Sequence, residues 1–190
     1  MNPRFALLLL VAGCAGPSTT PASAPSPAAT SIEADASSVT VSGLTVTRPD
    51  NWEFVTGDPS MGPDSQLVLM GPDGSGPVRA SISFFRKKYE YRTRRPSAEQ
   101  LLTAFMVSKR QELAGLEMVN DPERVEIAGH EGARLTVRVT ELTASGESAE
   151  QLANVYAVVD GDHYWAIYAL VPDGSGAGTT VVSVIDSLTL

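Results

Sequence analysis

Val78-Arg79-Ala80-Ser81-Ile82-Ser83-Phe84 alternates apolar and polar side chains without a break. Successive side chains of an extended chain point to opposite faces, so this period of two specifies a β-strand with Val78, Ala80, Ile82 and Phe84 on a buried face. Arg79, Ser81 and Ser83 are expected on a wet face. The strand needs partners, and the flanking sequence supplies them. Upstream, Gln66 to Met70 is a short apolar run, turned back by Pro72-Asp73-Gly74-Ser75-Gly76. Gly57 to Ser65 holds two prolines and two glycines and reads as loop. Further back, Val39 to Arg48 is β-branched with Gly43 in its middle, a strand or bent hairpin. Pro49-Asp50-Asn51 is a turn, followed by Trp52, Phe54 and Val55.

Downstream comes the one long amphipathic helix. Ser97 stands three residues before Gln100, the spacing at which each side chain satisfies a free backbone amide of the first turn. Leu101, Leu102, Phe105, Met106 and Leu113 fall on one side, and Gly115 is a natural stop. Such a stripe is a core face. Val125 to Ile127 then leads through a Gly129-His130-Glu131-Gly132 turn into Leu135, Val137 and Val139. Thr143 to Glu150 reads as a polar loop. Ala153 to Val159 and Tyr164 to Val171 are strands joined by the Asp160-Gly161-Asp162 hairpin turn. Thr179 to Ser187 suits a last helix. Antiparallel strands with two segregated helices make an α+β sandwich.

The first residues set the address. Arg4, a short apolar run from Phe5 to Val11, and Val11-Ala12-Gly13-Cys14 form a charged start, a core too short to span a bilayer, and small residues before a cut. The last four resemble a bacterial lipobox, whose cysteine is lipidated and becomes the mature first residue. That divides the chain into a signal peptide at 1–13, a lipidated Cys14 with a tether to residue 37, and one domain at 38–190. Residues 15 to 37 carry Pro17, Pro21, Pro25 and Pro27 among alanine, serine and threonine, with too little apolar surface to order themselves. As a flexible coil they reach about 25–30 Å, and about 70 Å fully extended. Cys14 is the only cysteine, so none remains for a disulfide and the domain relies on its core. The membrane is therefore an expected partner through the anchor on Cys14, and the location is extracytoplasmic.

The order of elements resembles the PsbP superfamily, which includes bacterial lipoproteins of the DcrB and LpqN kinds. The resemblance rests on Pro49-Asp50-Asn51-Trp52, the alternating strand at 78–84, the helix from Ser97, the Ile127-Ala128-Gly129 turn, the late hairpin and Asp186-Ser187-Leu188. It covers about residues 39 to 190. It implies an α/β/α sandwich and a binding or accessory role, and it carries no catalytic residue.

The chemistry is sparse. The sequence has no Gly-x-Ser-x-Gly elbow, and its only histidines are His130 and His163. Neither has a visible nucleophile beside it, so no catalytic site is expected. The usual zinc spacings are missing, as is a twelve-residue calcium loop around Asp160 and Asp162, so neither metal nor cofactor is expected. The formal charge of −8 makes the chain a poor general ligand for nucleic acid. One stretch opposes that balance: Arg86, Lys87, Lys88, Arg92, Arg94 and Arg95 put six positive charges into ten residues, with Tyr89 and Tyr91 interleaved. A strand continued past Phe85 would carry charge on both faces, so the stretch is expected to leave the core. It is either a solvated loop or a contact site for an acidic protein or anionic envelope component. A carrier of a small apolar or lipid ligand, held between sheet and helix, is the second expectation for the domain.

Overall fold

A computed structural model describes residues 36–55, 65–72, 78–91, 94–112, 115–142, 148–172 and 175–190. Cys14, the tether up to residue 35, Arg92, Leu113 and the centres of both Pro-Asp-Gly-Ser-Gly turns lie outside them. The strands are β1 (Ser38–Val41), β2 (Leu44–Thr47), β3 (Glu53–Val55), β4 (Ser65–Met70), β5 (Ser81–Lys88), β6 (Glu117–Met118), β7 (Glu123–Ile127), β8 (His130–Leu142), β9 (Ser148–Asp160) and β10 (His163–Val171). The helices are α1 (Ala98–Glu112) and α2 (Ala177–Asp186).

β1 and β2 form a separate hairpin, turning at Ser42 and Gly43, both with positive φ. The main sheet is antiparallel in the order β3-β4-β5-β10-β9-β8-β6, with β7 also paired to β8. Its middle strands are buried on both faces. On one face Phe85, Leu135, Val155, Ala157, Tyr164 and Ala166 pack under Leu101, Leu102, Phe105 and Met106 of α1. On the other, Ile82, Phe84, Trp165 and Ile167 meet Val181, Val184 and Ile185 of α2, together with Leu44 and Val46 of the hairpin. The architecture is thus an α+β sandwich with a helix on each side of the sheet, as the order of elements predicts.

The start of α1 follows its sequence signature. Ser97 N–H donates to Gln100 Oε1 at 3.0 Å, and Gln100 N–H to Ser97 Oγ at 3.4 Å. Glu131 from β8 adds a carboxylate that accepts the Ala98 amide at 3.3 Å, a favourable charge at a helix N-terminus.

Four local expectations need correction. The expected wet face of β5 holds only at its start: Ser81 is half-buried, whereas Ser83 is 0% exposed, because there the strand is covered on both sides. β5 also does not end at Phe85. It runs on to Lys88, paired with β10 throughout. The turn before β8 is Ala128-Gly129, both with positive φ, so His130 is a strand residue opposite Ile127. Finally, Ser148, Ala149 and Glu150 belong to β9, where they pair with the end of β8.

Candidate functional site

The basic stretch forms one end of the sheet. Arg86, Lys87 and Lys88 lie directly across from Trp165, Tyr164 and His163 of β10. Alternation from Phe84 and Phe85 puts Arg86 and Lys88 on the α2 face and Lys87 on the α1 face. Charge can occupy both faces here because the layers of side chains thin out at the end of the strands: Arg86 and Lys87 are half-buried and Lys88 is exposed. Arg86 is not wholly uncompensated, since its Nη2 lies 4.0 Å from Asp160 Oδ2.

The two tyrosines part company. Tyr89 is 8% exposed and belongs to the α1-face core, 6.2 Å from the Tyr164 ring between centroids. Its hydroxyl donates to the Gly161 carbonyl at 2.7 Å and accepts from Arg95 Nε at 2.9 Å, while its backbone amide donates to Asp162 O at 3.3 Å. Tyr89 is therefore a latch that ties the chain after β5 to the β9–β10 turn, and is no surface anchor. Tyr91 is 54% exposed, with its ring 6.0 Å from that of Tyr89. Arg94 and Arg95 are exposed. The structure thus gathers Arg86, Lys87, Lys88, Tyr91, Arg94 and Arg95 at one end and withdraws Tyr89 from the surface.

Carboxylates interrupt this end. Glu90 is exposed, Asp160 faces Arg86, and Asp162 accepts a hydrogen bond from His163 Nδ1 at 2.5 Å. That bond, and behind it the charges of His163 and Lys88, hold the exposed Asp162 carboxyl below the usual carboxylate range. The pairing of His163 with Asp162 was not legible in the sequence, although the two are consecutive residues at the end of the hairpin turn.

The histidines stand at different hairpins, His130 opening β8 and His163 opening β10. Two open clefts of about 400 Å³ occur among the described residues. One lies between Arg48 and the Thr179, Thr180, Ser183 and Ser187 side of α2. The other borders Arg124, Glu126, His130 and Glu131 at the β7–β8 turn. Both are open to solvent and of mixed polar and apolar lining, unlike the enclosed apolar space a lipid carrier requires. Between sheet and helices the interior is filled by Trp165, Phe84, Leu102 and Met106, each under 2% exposed.

Compared with solved structures, the chain superposes on cyanobacterial PsbP (CyanoP) from Synechocystis sp. PCC 6803 with a TM-score of 0.57, over 78% of this chain and 86% of that one, at 15% identity. The fold is PsbP-like. The same PsbP-like arrangement is found in LpqN, a protein involved in cell envelope biogenesis of Mycobacterium tuberculosis, with a TM-score of 0.52 over 80% of this chain and 88% of that one, again at 15% identity. No protein-family model matches the sequence, and no curated protein matches it. None of the described helices is long and apolar enough to cross a membrane. At this level of identity the PsbP-like likeness is one of backbone.

Proposed function

We propose that the protein is a non-catalytic accessory domain of the cell envelope, held to a membrane by lipid on Cys14 and acting by binding a partner at the basic end of its sheet. The observation that carries this reading is the concentration of Arg86, Lys87, Lys88, Arg94 and Arg95 around the exposed Tyr91 in a chain of net charge −8. Isolated surface charges are scattered by default; one end holding this many cations against the overall sign creates a local field that attracts anions. The shared fold of LpqN, itself involved in envelope biogenesis, and the lipobox-like Val11-Ala12-Gly13-Cys14 support the location. The filled interior supports a surface binder over a carrier.

Two measurements test it. Cys14→Ser leaves a distant domain intact and releases it from membranes; a variant still wholly membrane-bound after a high-salt wash refutes the anchor. Replacing Lys88 and Arg94 with serine leaves stability close to the parent, because both are exposed and exposed charges contribute little. Co-purification of envelope material from native membranes should nevertheless weaken, and the parent's own binding should fall as salt is raised. Equal recovery by parent and variant at low salt refutes the contact role.

A further inference from the structure

The two ends of the central strand face opposite ways along the molecule. At the Ser81 end, Gly71 N–H donates to Ala80 O at 2.8 Å, and the Trp52 ring packs against Gly71 and Ala80. Trp52 O accepts from Arg48 Nη1 at 2.7 Å, and Arg48 Nε donates to Ala36 O at 2.8 Å. Ala36, where the tether joins the domain, is thus fixed at this end. The basic cluster lies at the other, beside Lys88 and the β9–β10 turn. Seven steps of about 3.3 Å separate Ser81 from Lys88, so tether entry and basic end stand on the order of 23 Å apart along the strand.

The composition of the basic end restricts what fits it. A protein–protein interface concentrates its energy in a desolvated apolar centre. Among the described residues only Tyr91 offers a large exposed apolar surface here, since Tyr89 is committed to the core. The other exposed large hydrophobics, Val107, Val119, Leu152 and Val182, lie on α1, just after β6, on β9 and on α2. Arg86, Lys87, Lys88, Arg94 and Arg95 outnumber Glu90, Asp160 and Asp162, so the end offers a net positive charge with a single aromatic platform, which suits repeated anionic groups better than a folded surface.

From this polarity we infer that the basic end takes a polyanionic polymer, bearing repeated phosphate or carboxylate groups, that lies opposite the membrane of attachment. The tether enters the domain at Ala36, so the basic end is the part it leaves farthest from the anchor, and Lys88, Arg94 and Tyr91 meet the polymer there. This rests on the anchor and contact roles proposed above, and the test separates their failures from its own.

The full chain, acylated at Cys14, is placed in neutral phosphatidylcholine vesicles and in vesicles rich in phosphatidylglycerol. A fluorophore at Ser37→Cys or Glu90→Cys reports energy transfer to an acceptor among the headgroups. Position 37 should transfer more strongly than position 90, with no gain at position 90 when the lipid is anionic. A large gain there means that the basic end lies on its own membrane, which overturns the inference, as does loss of the chain from the vesicles. Neutral vesicles are then offered labelled polyphosphate, polyglutamate or a folded acidic protein. Capture of either polymer is expected, and the pair of arms identifies phosphate or carboxylate as preferred. Removing two surface cations by Lys88→Ser and Arg94→Ser should weaken capture about thirty-fold at low salt. Unchanged capture by that variant refutes the contact role itself, whereas tighter binding of the folded protein than of either polymer overturns the choice of partner.

Discussion

Tyr89→Phe deletes one oxygen and tests whether the latch holds the basic end together. The hydroxyl makes two bonds, to the Gly161 carbonyl at 2.7 Å and from Arg95 Nε at 2.9 Å. A neutral hydrogen bond contributes about 1 kcal/mol net, and one with a charged donor about 1.5–3 kcal/mol when buried. Gly161 and Arg95 are exposed, so water replaces part of what each loses. The expected cost is therefore about 1.5–2 kcal/mol. For a domain of about 150 residues that lowers Tm by about 3–8 °C. Tyr89→Ala also removes a ring that is 8% exposed, which raises the cost to about 3–5 kcal/mol. Tyr91→Ala, at 54% exposure, should stay within about 0.5 kcal/mol of the parent. Urea unfolding followed by the fluorescence of the buried Trp52 and Trp165 measures all three. If Tyr89→Phe keeps the parent midpoint, or if Tyr91→Ala costs as much as Tyr89→Ala, the division of the tyrosines into latch and surface is wrong.

Three further outcomes follow from local geometry. Ser97→Ala should cost about 1 kcal/mol, and a double-mutant cycle with Gln100→Ala should show coupling, since each side chain caps the other's amide. Because the carboxyl of Asp162 is held low in the folded state, its contribution to stability is complete above the unfolded value near 3.9 and is lost as pH falls through the lower folded value; an NMR titration should find the Asp162 pKa raised in His163→Gln. A Cβ at Gly132 would lie 3.1 Å from Ala157 O and 3.3 Å from both Ile127 Cδ1 and Val125 O, so Gly132→Ala should lose about 1–3 kcal/mol in chemical denaturation.

The fold was largely legible because its strands and its long helix carry different periods. Where the reading failed, polarity misled it in a specific way. Ser83 mimics a wet-face residue, yet serine is small enough to sit in a doubly covered strand, and only the sheet order reveals that β5 is flanked on both sides. The start of β9 and the far part of β8 are polar because many of their side chains face water, not because the chain stops being extended. The basic stretch is visible as a cluster, but its interleaved tyrosines look alike in composition. A usable signal existed: Phe85 and Tyr89 are four residues apart and share parity, so a strand continued past Phe85 returns Tyr89 to the α1 face. The Arg86–Asp160 and His163–Asp162 contacts depend on tertiary placement and turn geometry, which composition does not encode.

β10 serves two interiors at once. Tyr164, Ala166, Tyr168 and Leu170 enter the α1 side, and Trp165, Ile167 and Ala169 enter the α2 side. The two compartments are shaped differently. Under α1 the sheet sets Ala133, Ala153, Ala157 and Ala166 among Phe85, Tyr164 and Tyr168, facing Phe105 and Met106; the α2 side sets Trp165 and Phe84 beneath the smaller Val181 and Val184. Deleting His163 or Tyr164 would act as a frameshift in space, driving Trp165 across the sheet into the place of Tyr164 and leaving Ala166 where the indole belongs. Substitutions within one compartment can drift without consulting the other, whereas changes in the length of this strand cannot. The central hairpin is therefore the part of the domain where insertions and deletions should be least tolerated, even though no residue there needs to touch a partner.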